Sequence, residues 1–261
     1  MPRYPAAVAE RTAYTPGTFC WVDLGARDPE AAGAFYAAVL GWEMGPSGGP
    51  ETAEYRMALV DGLSVAGVYR GRAATPAWTS YVSVEDADAT CARATGLGGA
   101  VAMGPMQVLD LGRSALLTDP QGAAVAIWEP GAMPGAAMVN DPGALTLNQL
   151  NTHDVAGATA FYTGLFGWEV EQVVEDPFPY WGIHNAGRLN GGMMGLGPGN
   201  PAPAHWLPYF TVDDVDGADA AIVDAGGAVV VPVMPAGEGR ILVAMDPQGA
   251  AFAVFEGRVD P

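Results

Sequence analysis

The sequence has no lysine, only three histidines and only two cysteines among its 261 residues. All eleven basic residues are therefore arginines, and with 29 acidic residues they leave a net charge of −18. Because binding to phosphates requires a basic surface, this balance argues against a nucleic-acid partner. An acidic field favours a cationic ligand, but it equally keeps a protein soluble, and the second interpretation is the simpler one.

The cysteines and the hydrophobic pattern bear on where the protein works. Cys20 and Cys91 permit one disulfide at most, and no CxxC motif occurs, so a reducing cytoplasmic setting is expected. No apolar run approaches the roughly 18 residues that a membrane-spanning helix needs. Residues 1–14, MPRYPAAVAERTAY, are interrupted by proline and charge and do not resemble a secretory signal. We therefore expect a cytoplasmic protein without membrane contact.

What the chain does contain is one module written twice. RDPEAAGAFYAAVLGWEM (27–44) matches HDVAGATAFYTGLFGWEV (153–170), and the turn sequence DPQGAA occurs at Asp119 and again at Asp246. Nearly constant offsets over such a distance indicate a duplication, and the period is too long for a solenoid repeat. The expected organisation is an N-terminal extension over 1–16, a first module over 17–130, a linker over 131–143 and a second module over 144–257.

Each copy is predicted to be a strand, a helix and then further strands. Asp28, Pro29 and Glu30 form a helix start, with an N-cap aspartate, a proline in the first turn and an acid near the positive helix end. Gly41 and Gly167 are placed to end the two equivalent helices. Hairpin turns are predicted at Asp61-Gly62 and near Ala186-Gly187.

This order of elements resembles a known superfamily. Two successive βαβββ units per copy, an FY-x-x-x-FGW-like helix end and a DPxG turn before the last strand resemble the vicinal oxygen chelate superfamily of glyoxalase I, bleomycin-resistance proteins and extradiol dioxygenases. The duplication is similar to actinobacterial glyoxalase-like proteins, some of which belong to antibiotic gene clusters. The resemblance covers about residues 17–257. It implies an α+β fold of tandem βαβββ modules that form cupped mixed β-sheets, with two copies per chain.

The resemblance also implies where metal ligands would stand. In metal-dependent members one ligand lies seven residues before the aspartate that starts the helix, and another lies seven residues after the aspartate of the DPxG turn. The residues at these four positions are Trp21, Leu147, Ala126 and Ala253. None of their side chains can bind a divalent cation. Glu129 and Glu256 lie an odd number of residues further on and should face the other side of the strand. We predict no metal and no cofactor.

The three histidines do not replace the missing ligands. His153 precedes a helix-capping aspartate, and His205 precedes a strand, so both are expected outside a site. His184 shares a strand face with Tyr180 and Gly182, and it is a candidate acid or base if that face lines a cavity. A buried histidine with a purely structural role is the competing interpretation.

Period-two alternation predicts a ligand surface with an alanine floor and aromatic walls. Aromatic residues that occur in both copies, such as Trp78 and Trp206, are expected to be core, whereas residues without an identical counterpart indicate ligand specificity. Arg113 and Arg240 are expected in structural salt bridges rather than as ligand anchors. The predicted ligand-binding residues are Phe19, Trp21, Asp23, Tyr55, Met57, Trp128, Leu147, Gln149, Tyr180, His184, Met193 and Phe255.

Two functions follow from this surface. The first is a metal-independent protein that binds a bulky aromatic or hydrophobic natural product, for antibiotic biosynthesis or self-resistance, by sequestering it or holding an intermediate. The alternative is a metal-free tailoring enzyme for cyclisation, epimerisation or assistance to hydroxylation, with His184 or Asp23 as acid or base. A glyoxalase or ring-cleaving dioxygenase is a third hypothesis, against which the missing ligands argue. A partner tailoring enzyme is a further candidate partner, and both a monomer and a homodimer remain open.

Overall fold

The computed structural model describes residues 10–73 and 75–257, so residues 1–9 of the expected N-terminal extension lie outside the described part. The strands of the first half are β1 (Phe19–Ala26), β2 (Glu43–Met44), β3 (Arg56–Val60), β4 (Leu63–Arg70), β5 (Ala77–Ser83), β6 (Ala100–Val108), β7 (Gly112–Thr118) and β8 (Ala124–Pro130). Those of the second half are β9 (Leu145–Thr152), β10 (Glu169–Val174), β11 (Tyr180–Asn185), β12 (Arg188–Gly195), β13 (His205–Thr211), β14 (Ala228–Ala236), β15 (Gly239–Met245) and β16 (Ala251–Glu256).

Four helices and one short turn accompany the strands. The helices are α1 (Pro29–Leu40), α2 (Ala87–Gly96), α3 (Val155–Phe166) and α4 (Val215–Asp224), and Pro50–Thr52 forms a 3-10 turn. Within the described residues, no helix is both long enough and apolar enough to cross a bilayer.

Each half forms its own eight-stranded mixed sheet. The strand order is β2-β3-β4-β1-β5-β8-β7-β6 in the first and β10-β11-β12-β9-β13-β16-β15-β14 in the second. In the first sheet β1 is parallel to β4 and antiparallel to β5, and β5 is parallel to β8. Each sheet thus joins two βαβββ units through a central antiparallel pair, which confirms the predicted fold class.

The predicted helix starts and ends are present in the structure. The Asp28 carboxylate accepts hydrogen bonds from the backbone N–H groups of Glu30 and Ala31 and so caps α1, while Gly41 ends it in the left-handed region at φ 72°. Asp154 and Gly167 repeat this pattern around α3. These groups satisfy backbone donors and carbonyls that a helix end leaves unpaired.

Both predicted hairpin turns are present. Asp61 and Gly62 have φ values of 51° and 79°, and Ala186 and Gly187 have φ values of 51° and 75°. Two consecutive residues with positive φ form the turn that matches the right-handed twist of the flanking strands. These turns fix the register of β3 with β4 and of β11 with β12, and thereby the strand faces described below.

The two halves pack through the helix-covered faces of their sheets. One core combines α1 with α4, and the other combines α2 with α3, so each core takes side chains from both halves. The aromatic residues that occur in both copies lie here and are buried, as predicted: Phe35, Trp42, Trp78, Phe161, Trp168 and Trp206. The opposite face of each sheet is therefore left without helices.

The repeated DPQG turns connect the halves. The Tyr36 hydroxyl on α1 donates to Oδ2 of Asp246 in the second half at 3.3 Å, and the Trp78 indole N–H donates to the Tyr36 oxygen. Tyr162 and Asp119 repeat the bond in the other direction at 3.2 Å. We call these two tyrosine–aspartate pairs the clasps. They explain why both copies retain the FY and DPQG sequences without any part in ligand chemistry.

Candidate ligand-binding site

The helix-free face of the first sheet carries a compact group of aromatic and polar side chains, which we call cup A. Trp21 and Trp128 form a buried cluster there, with Met57 and Tyr81 packed against it. Asp23 and Tyr55 join this group through hydrogen bonds, and Ala126 lies between Tyr81 and Leu116 in the strand register. The predicted ligand residues Trp21, Asp23, Tyr55, Met57 and Trp128 are thus brought together on one face.

Asp23 is the acidic residue at the centre of cup A. Its side chain is only 4% exposed. Oδ2 accepts hydrogen bonds from the hydroxyls of Tyr81 at 2.8 Å and Tyr55 at 3.4 Å, and the Trp21 indole N–H donates to the Tyr55 oxygen at 2.9 Å. Oδ1 is buried and accepts no hydrogen bond from any described group. The carboxyl therefore has one satisfied oxygen and one unsatisfied oxygen.

Burial raises the pKa of Asp23 from its ordinary value of 3.8 to about 7. The hydroxyls of Tyr81, Tyr55 and Thr79 lower this pKa, but by less than burial raises it. The Thr79 hydroxyl is near the carboxyl without making a hydrogen bond to Oδ1. Burial also raises the pKa of Tyr55 and Tyr81 well above the usual value, and the nearby Asp23 carboxylate adds to that shift. At neutral pH this carboxyl is therefore poised to lose or gain a proton, whereas the phenols stay protonated.

The second sheet has a related but uncharged surface, which we call cup B. Gln149 occupies the position equivalent to Asp23, and its Oε1 accepts from Tyr209 at 2.9 Å while its Nε2 donates to Asn151. Leu147 and Phe255 pack around Tyr209 in a separate apolar cluster. Both the oxygen and the nitrogen of the Gln149 side chain have hydrogen-bond partners. The two cups therefore differ in charge, and only cup A has a central oxygen without a hydrogen bond.

A glycine makes room for a tyrosine ring in each cup. Tyr55 lies over Gly67, the neighbour of Asp23 on β4, and Tyr180 lies over Gly192, the neighbour of Gln149 on β12. A β-carbon at either glycine would collide with the tyrosine hydroxyl. The rings therefore line the cups only because the neighbouring strand has no side chain there.

The positions at which metal ligands were sought lie side by side across the strands. Trp21 pairs with Tyr81, which pairs with Ala126, and the equivalent row in cup B is Leu147, Tyr209 and Ala253. Indole, methyl and isobutyl groups offer no ligand to a divalent cation. In the described part of the chain no three His, Cys, Asp or Glu residues are grouped as a metal site. At the four positions where the superfamily implies ligands, Trp21, Ala126, Leu147 and Ala253 do not fit a metal.

The glutamates that follow Ala126 and Ala253 on the closing strands face the helices, as predicted. Glu129 Oε2 accepts from the backbone N–H of Ala87 at the start of α2 and from Arg113. Glu256 makes the same two contacts with Val215 and Arg240. Both arginines are therefore in structural ion pairs, and neither glutamate belongs to a cup.

Two predicted ligand residues, Phe19 and Met193, lie on the opposite face from the one that regular strand alternation predicts. A β-bulge interrupts β1 between Phe19 and Trp21, so Phe19 turns to the helix-covered face and packs against Trp168 and Trp206. Met193 is fully buried in the same core, because the residues of β12 that face cup B are its neighbours in sequence, such as Gly192. The prediction that Phe19 and Met193 line a cup was wrong.

None of the three histidines hydrogen-bonds directly to Asp23 or Gln149 among the described contacts, and His205 reaches Gln149 only through Asn151. His184 is on β11, two strands from β9 in the sheet, and its Cε1 lies over Gly182 near Val173 and Leu189. His205 contacts Asn151 and the Pro203 carbonyl, and His153 contacts the Ala202 carbonyl. No described hydrogen bond joins His184 to Gln149 or Tyr209, which leaves Asp23 as the stronger acid–base candidate.

The linker between the halves covers part of cup A. The Trp128 indole N–H donates to the Met133 carbonyl at 2.8 Å, and Met133 packs against the cup A cluster. The Tyr14 hydroxyl donates to the Ala136 carbonyl, and the Ala136 N–H donates to the Cys20 carbonyl. Cup B has no linker residues in its cluster. Met133 and its neighbours are therefore part of the cup A wall.

Two cavities lie outside the cups. One of about 250 Å³ lies between α1 and α4, lined by Val39, Asp214 and Ala218 among others. The other, of about 220 Å³, lies where residues 11–19 meet residues 185–190. In this conformation the side chains of cup A are packed on one another, so a ligand has to separate the linker from the sheet or displace side chains.

Sequence reasoning missed the tyrosines that hold the central polar groups. Tyr81 and Tyr209 bind Asp23 and Gln149, respectively. Both follow a core tryptophan by three residues in the matched segments WTSY and WLPY. That odd spacing places tyrosine and tryptophan on opposite faces of the strand, which was the available signal.

Comparison with known proteins agrees with this geometry. A family model described as "Glyoxalase-like domain" matches residues 20–128 and again 145–255. The chain is 34% identical to "Anthracycline biosynthesis protein DauV" of Streptomyces sp. (strain C5), over 94% of this chain and 95% of that protein. It is 35% identical to "Putative glyoxylase CFP32" of Mycobacterium tuberculosis (strain CDC 1551 / Oshkosh), over 95% and 97%.

A solved structure shows the same fold at low sequence identity. 2,2',3-Trihydroxybiphenyl 1,2-dioxygenase from Sphingomonas wittichii strain RW1 matches with a TM-score of 0.68 and 15% identity, covering 94% of this chain and 92% of that one. At this identity the match supports the fold and not the reaction. The two sheets, the two domain matches and the two relatives matched over nearly their whole length agree. The chain belongs to the glyoxalase-like family of the vicinal oxygen chelate superfamily, with the domain present twice.

Proposed function

We propose that this protein binds a bulky aromatic or hydrophobic natural product in cup A without a metal, in the cytoplasm, as part of antibiotic biosynthesis or self-resistance. The observation that carries the proposal is the row Trp21–Tyr81–Ala126, in which Trp21 and Ala126 stand where the superfamily implies metal ligands and have no metal-binding capacity. The similarity to a protein named for anthracycline biosynthesis supports the ligand class. Two free, buried cysteines agree with a reducing compartment.

The surfaces of cup A suit a flat ligand. Trp21, Trp128 and Tyr55 provide rings, and Tyr55 stacks on Tyr69 with a centroid distance of 5.9 Å and an interplanar angle of 11°. Aromatic faces bind flat molecules over large areas, and Met57 and Met133 adapt to irregular outlines. The methyl side chain of Ala126 takes up little space on this face and so leaves more of it to a ligand. Sequestration and the holding of an intermediate both follow from such binding.

Binding is tested with a neutral flat probe. We expect 1,8-dihydroxyanthraquinone to quench the tryptophan fluorescence of the purified protein in a saturable manner. Trp128→Leu should weaken the affinity because it removes a ring of cup A. The matched control is Trp181→Leu, since Trp181 packs on the helix-covered side of the second sheet. Equal affinity for wild type and Trp128→Leu, or no saturable quenching, would remove cup A as the site.

A second function is favoured by the burial of Asp23 between two tyrosine hydroxyls, since burial raises the pKa of its carboxyl. A buried carboxyl with a pKa of about 7 is suited to general acid–base catalysis at neutral pH. In a metal-free tailoring reaction, such as an epimerisation, Asp23 Oδ1 would take a proton from the ligand and return it. Tyr81 and Tyr55 would hold Oδ2 and so orient the carboxyl.

Mass analysis separates binding from catalysis. The protein is incubated with candidate aromatic polyketides in deuterium oxide, and the recovered compounds are examined by mass spectrometry and chromatography. Recovery of unchanged material supports sequestration or holding. Deuterium incorporation or rearrangement supports catalysis if Asp23→Asn abolishes it while His184→Ala retains it. Product formed equally by Asp23→Asn would exclude Asp23 as the acid or base.

A further inference from the structure

We infer that cup A recognises a cationic amine: an ammonium group on an otherwise apolar ligand donates to Oδ1 of Asp23. This inference rests on the proposed function and adds the charge of the ligand to it. It starts from the fact that Asp23 is deeply buried yet leaves one carboxyl oxygen without a partner. A buried acceptor without a hydrogen bond is costly, so a ligand donor at that oxygen gains more than it would at the surface.

Among the residues that the structure describes, the surroundings of Asp23 contain hydroxyls but no positive group. Tyr55, directly before β3, faces the carboxyl; Tyr69 lies beside it on β4, and Tyr81 and Thr79 face it from β5. No described arginine or histidine acts on this carboxyl. A buried carboxylate without a counter-ion is unstable, and a cation is the partner that stabilises it.

The unsatisfied oxygen also distinguishes a cation from a neutral hydroxyl. Tyr81 and Tyr55 already supply neutral donors, and both bind Oδ2. Burial still holds the pKa of the carboxyl at about 7 despite these donors. A neutral hydroxyl at Oδ1 supplies one further hydrogen bond but no charge, whereas an ammonium group supplies both.

Aromatic rings surround the same carboxyl. The indole of Trp21 is linked to it through Tyr55, and Tyr55 and Tyr69 are stacked. Faces of tryptophan and tyrosine attract ammonium groups, most strongly when water is excluded. The net charge of −18 also raises the local concentration of cations. In cup B the equivalent residue is the satisfied Gln149, so the preference for a cation belongs to cup A.

A matched pair of probes tests the inference. 1-Naphthylmethylamine is a cation at pH 8, and 1-naphthalenemethanol has the same ring with a neutral hydroxyl. Isothermal titration calorimetry is expected to show at least tenfold tighter binding of the amine at pH 8, and a difference below about twofold with Asp23→Asn. Asp88→Asn is the control, since it removes one acid that pairs with Arg113 on the surface away from cup A. It should retain the tenfold preference.

The pH dependence of wild type provides a test that needs no variant. Because the free Asp23 carboxyl takes up a proton below about pH 7, the amine has to displace that proton, and its affinity should fall by up to tenfold per pH unit between pH 7 and pH 5. The affinity for the alcohol should change little over this range.

Each outcome decides a different claim. If the alcohol binds as tightly as the amine at pH 8, or if Asp23→Asn keeps the preference, the inference is wrong while ligand binding in cup A stands. If neither naphthyl probe nor the anthraquinone binds, the proposed function fails as well. Tight amine binding with a flat pH profile would show that the amine is held elsewhere than at Asp23.

Discussion

The Tyr81 hydroxyl donates a 2.8 Å hydrogen bond to Oδ2 of Asp23 while the other carboxyl oxygen, Oδ1, accepts none from a described group. The equivalent pair in the second half, Tyr209 and Gln149, has the opposite character, because Gln149 is neutral and bonded at both ends. The duplicated fold thus contains one charged and one neutral version of the same surface.

Asp23 makes stability depend on pH in a definite direction. An unfolded aspartate ionises near pH 3.9, whereas the folded one ionises at about pH 7. Between these values the folded state binds the additional proton, so the free energy of unfolding falls as the pH rises from about 4 to 7. The pKa difference corresponds to a loss of up to ~4 kcal/mol.

Urea denaturation of wild type and Asp23→Asn between pH 4 and pH 8 measures this effect. The variant should lack the fall that Asp23 causes and should be more stable than wild type at pH 8. Other carboxyls titrate identically in both proteins, so only the difference between the two curves is interpreted. Parallel curves would mean that Asp23 ionises normally in the folded protein.

The clasps should contribute similarly to stability. Tyr36→Phe and Tyr162→Phe each remove the hydroxyl donor to a buried aspartate oxygen, and each is expected to lower the free energy of unfolding by ~1–2 kcal/mol. Equilibrium denaturation of both single variants and of the double variant measures the losses. A double variant no less stable than either single one would show that the two clasps are coupled rather than independent.

A larger side chain at Ala126 or at Ala253 should show which of the two cups binds the ligand. Ala126→Leu places a branched side chain beside Tyr81 in cup A, and Ala253→Leu does the same beside Tyr209 in cup B. Both buried sites are expected to lose ~1–3 kcal/mol of stability from overpacking. Only Ala126→Leu should weaken binding of 1,8-dihydroxyanthraquinone, by tenfold or more in fluorescence titration. Equal weakening by Ala253→Leu would place the probe in cup B or in both cups.

Metal content follows from the donor chemistry of the two rows. Elemental analysis of the purified protein should find divalent metal well below one equivalent per chain, because Trp21, Ala126, Leu147 and Ala253 cannot coordinate it. Treatment with a chelator should leave the affinity for the probe unchanged. A stoichiometric metal whose removal abolishes binding or turnover would contradict the metal-independent proposal.

The order of elements could be predicted from local sequence because local interactions decide it. An aspartate cap, a glycine in the left-handed region and a two-residue turn act within a few residues, and the duplication identifies the pairs that should repeat. The same holds for the missing metal donors, since an indole, a methyl or an isobutyl group has no metal-binding donor atom in any surroundings. Glu129 and Glu256 could be assigned to the helix-covered face because their strands alternate regularly.

Cup membership depended on features that act between strands. Alternation assigns Phe19 to the same face as Trp21, but the bulge in β1 reverses it. Met193 illustrates the same limit, since the face of β12 follows from its pairing with β9. The linker was expected to do no more than connect the halves, yet Met133 packs into cup A.

By itself the sequence determined two copies of a module with two βαβββ units each, their helix ends and four positions without metal donors, because each of these depends on residues close together in the chain. Only the tertiary structure decided that Tyr81, Tyr55 and Asp23 meet, since they come from β5, from the residue before β3 and from β1. The perturbed carboxyl at their centre is a product of burial, and burial is a property of the assembled sheet and linker rather than of any one segment.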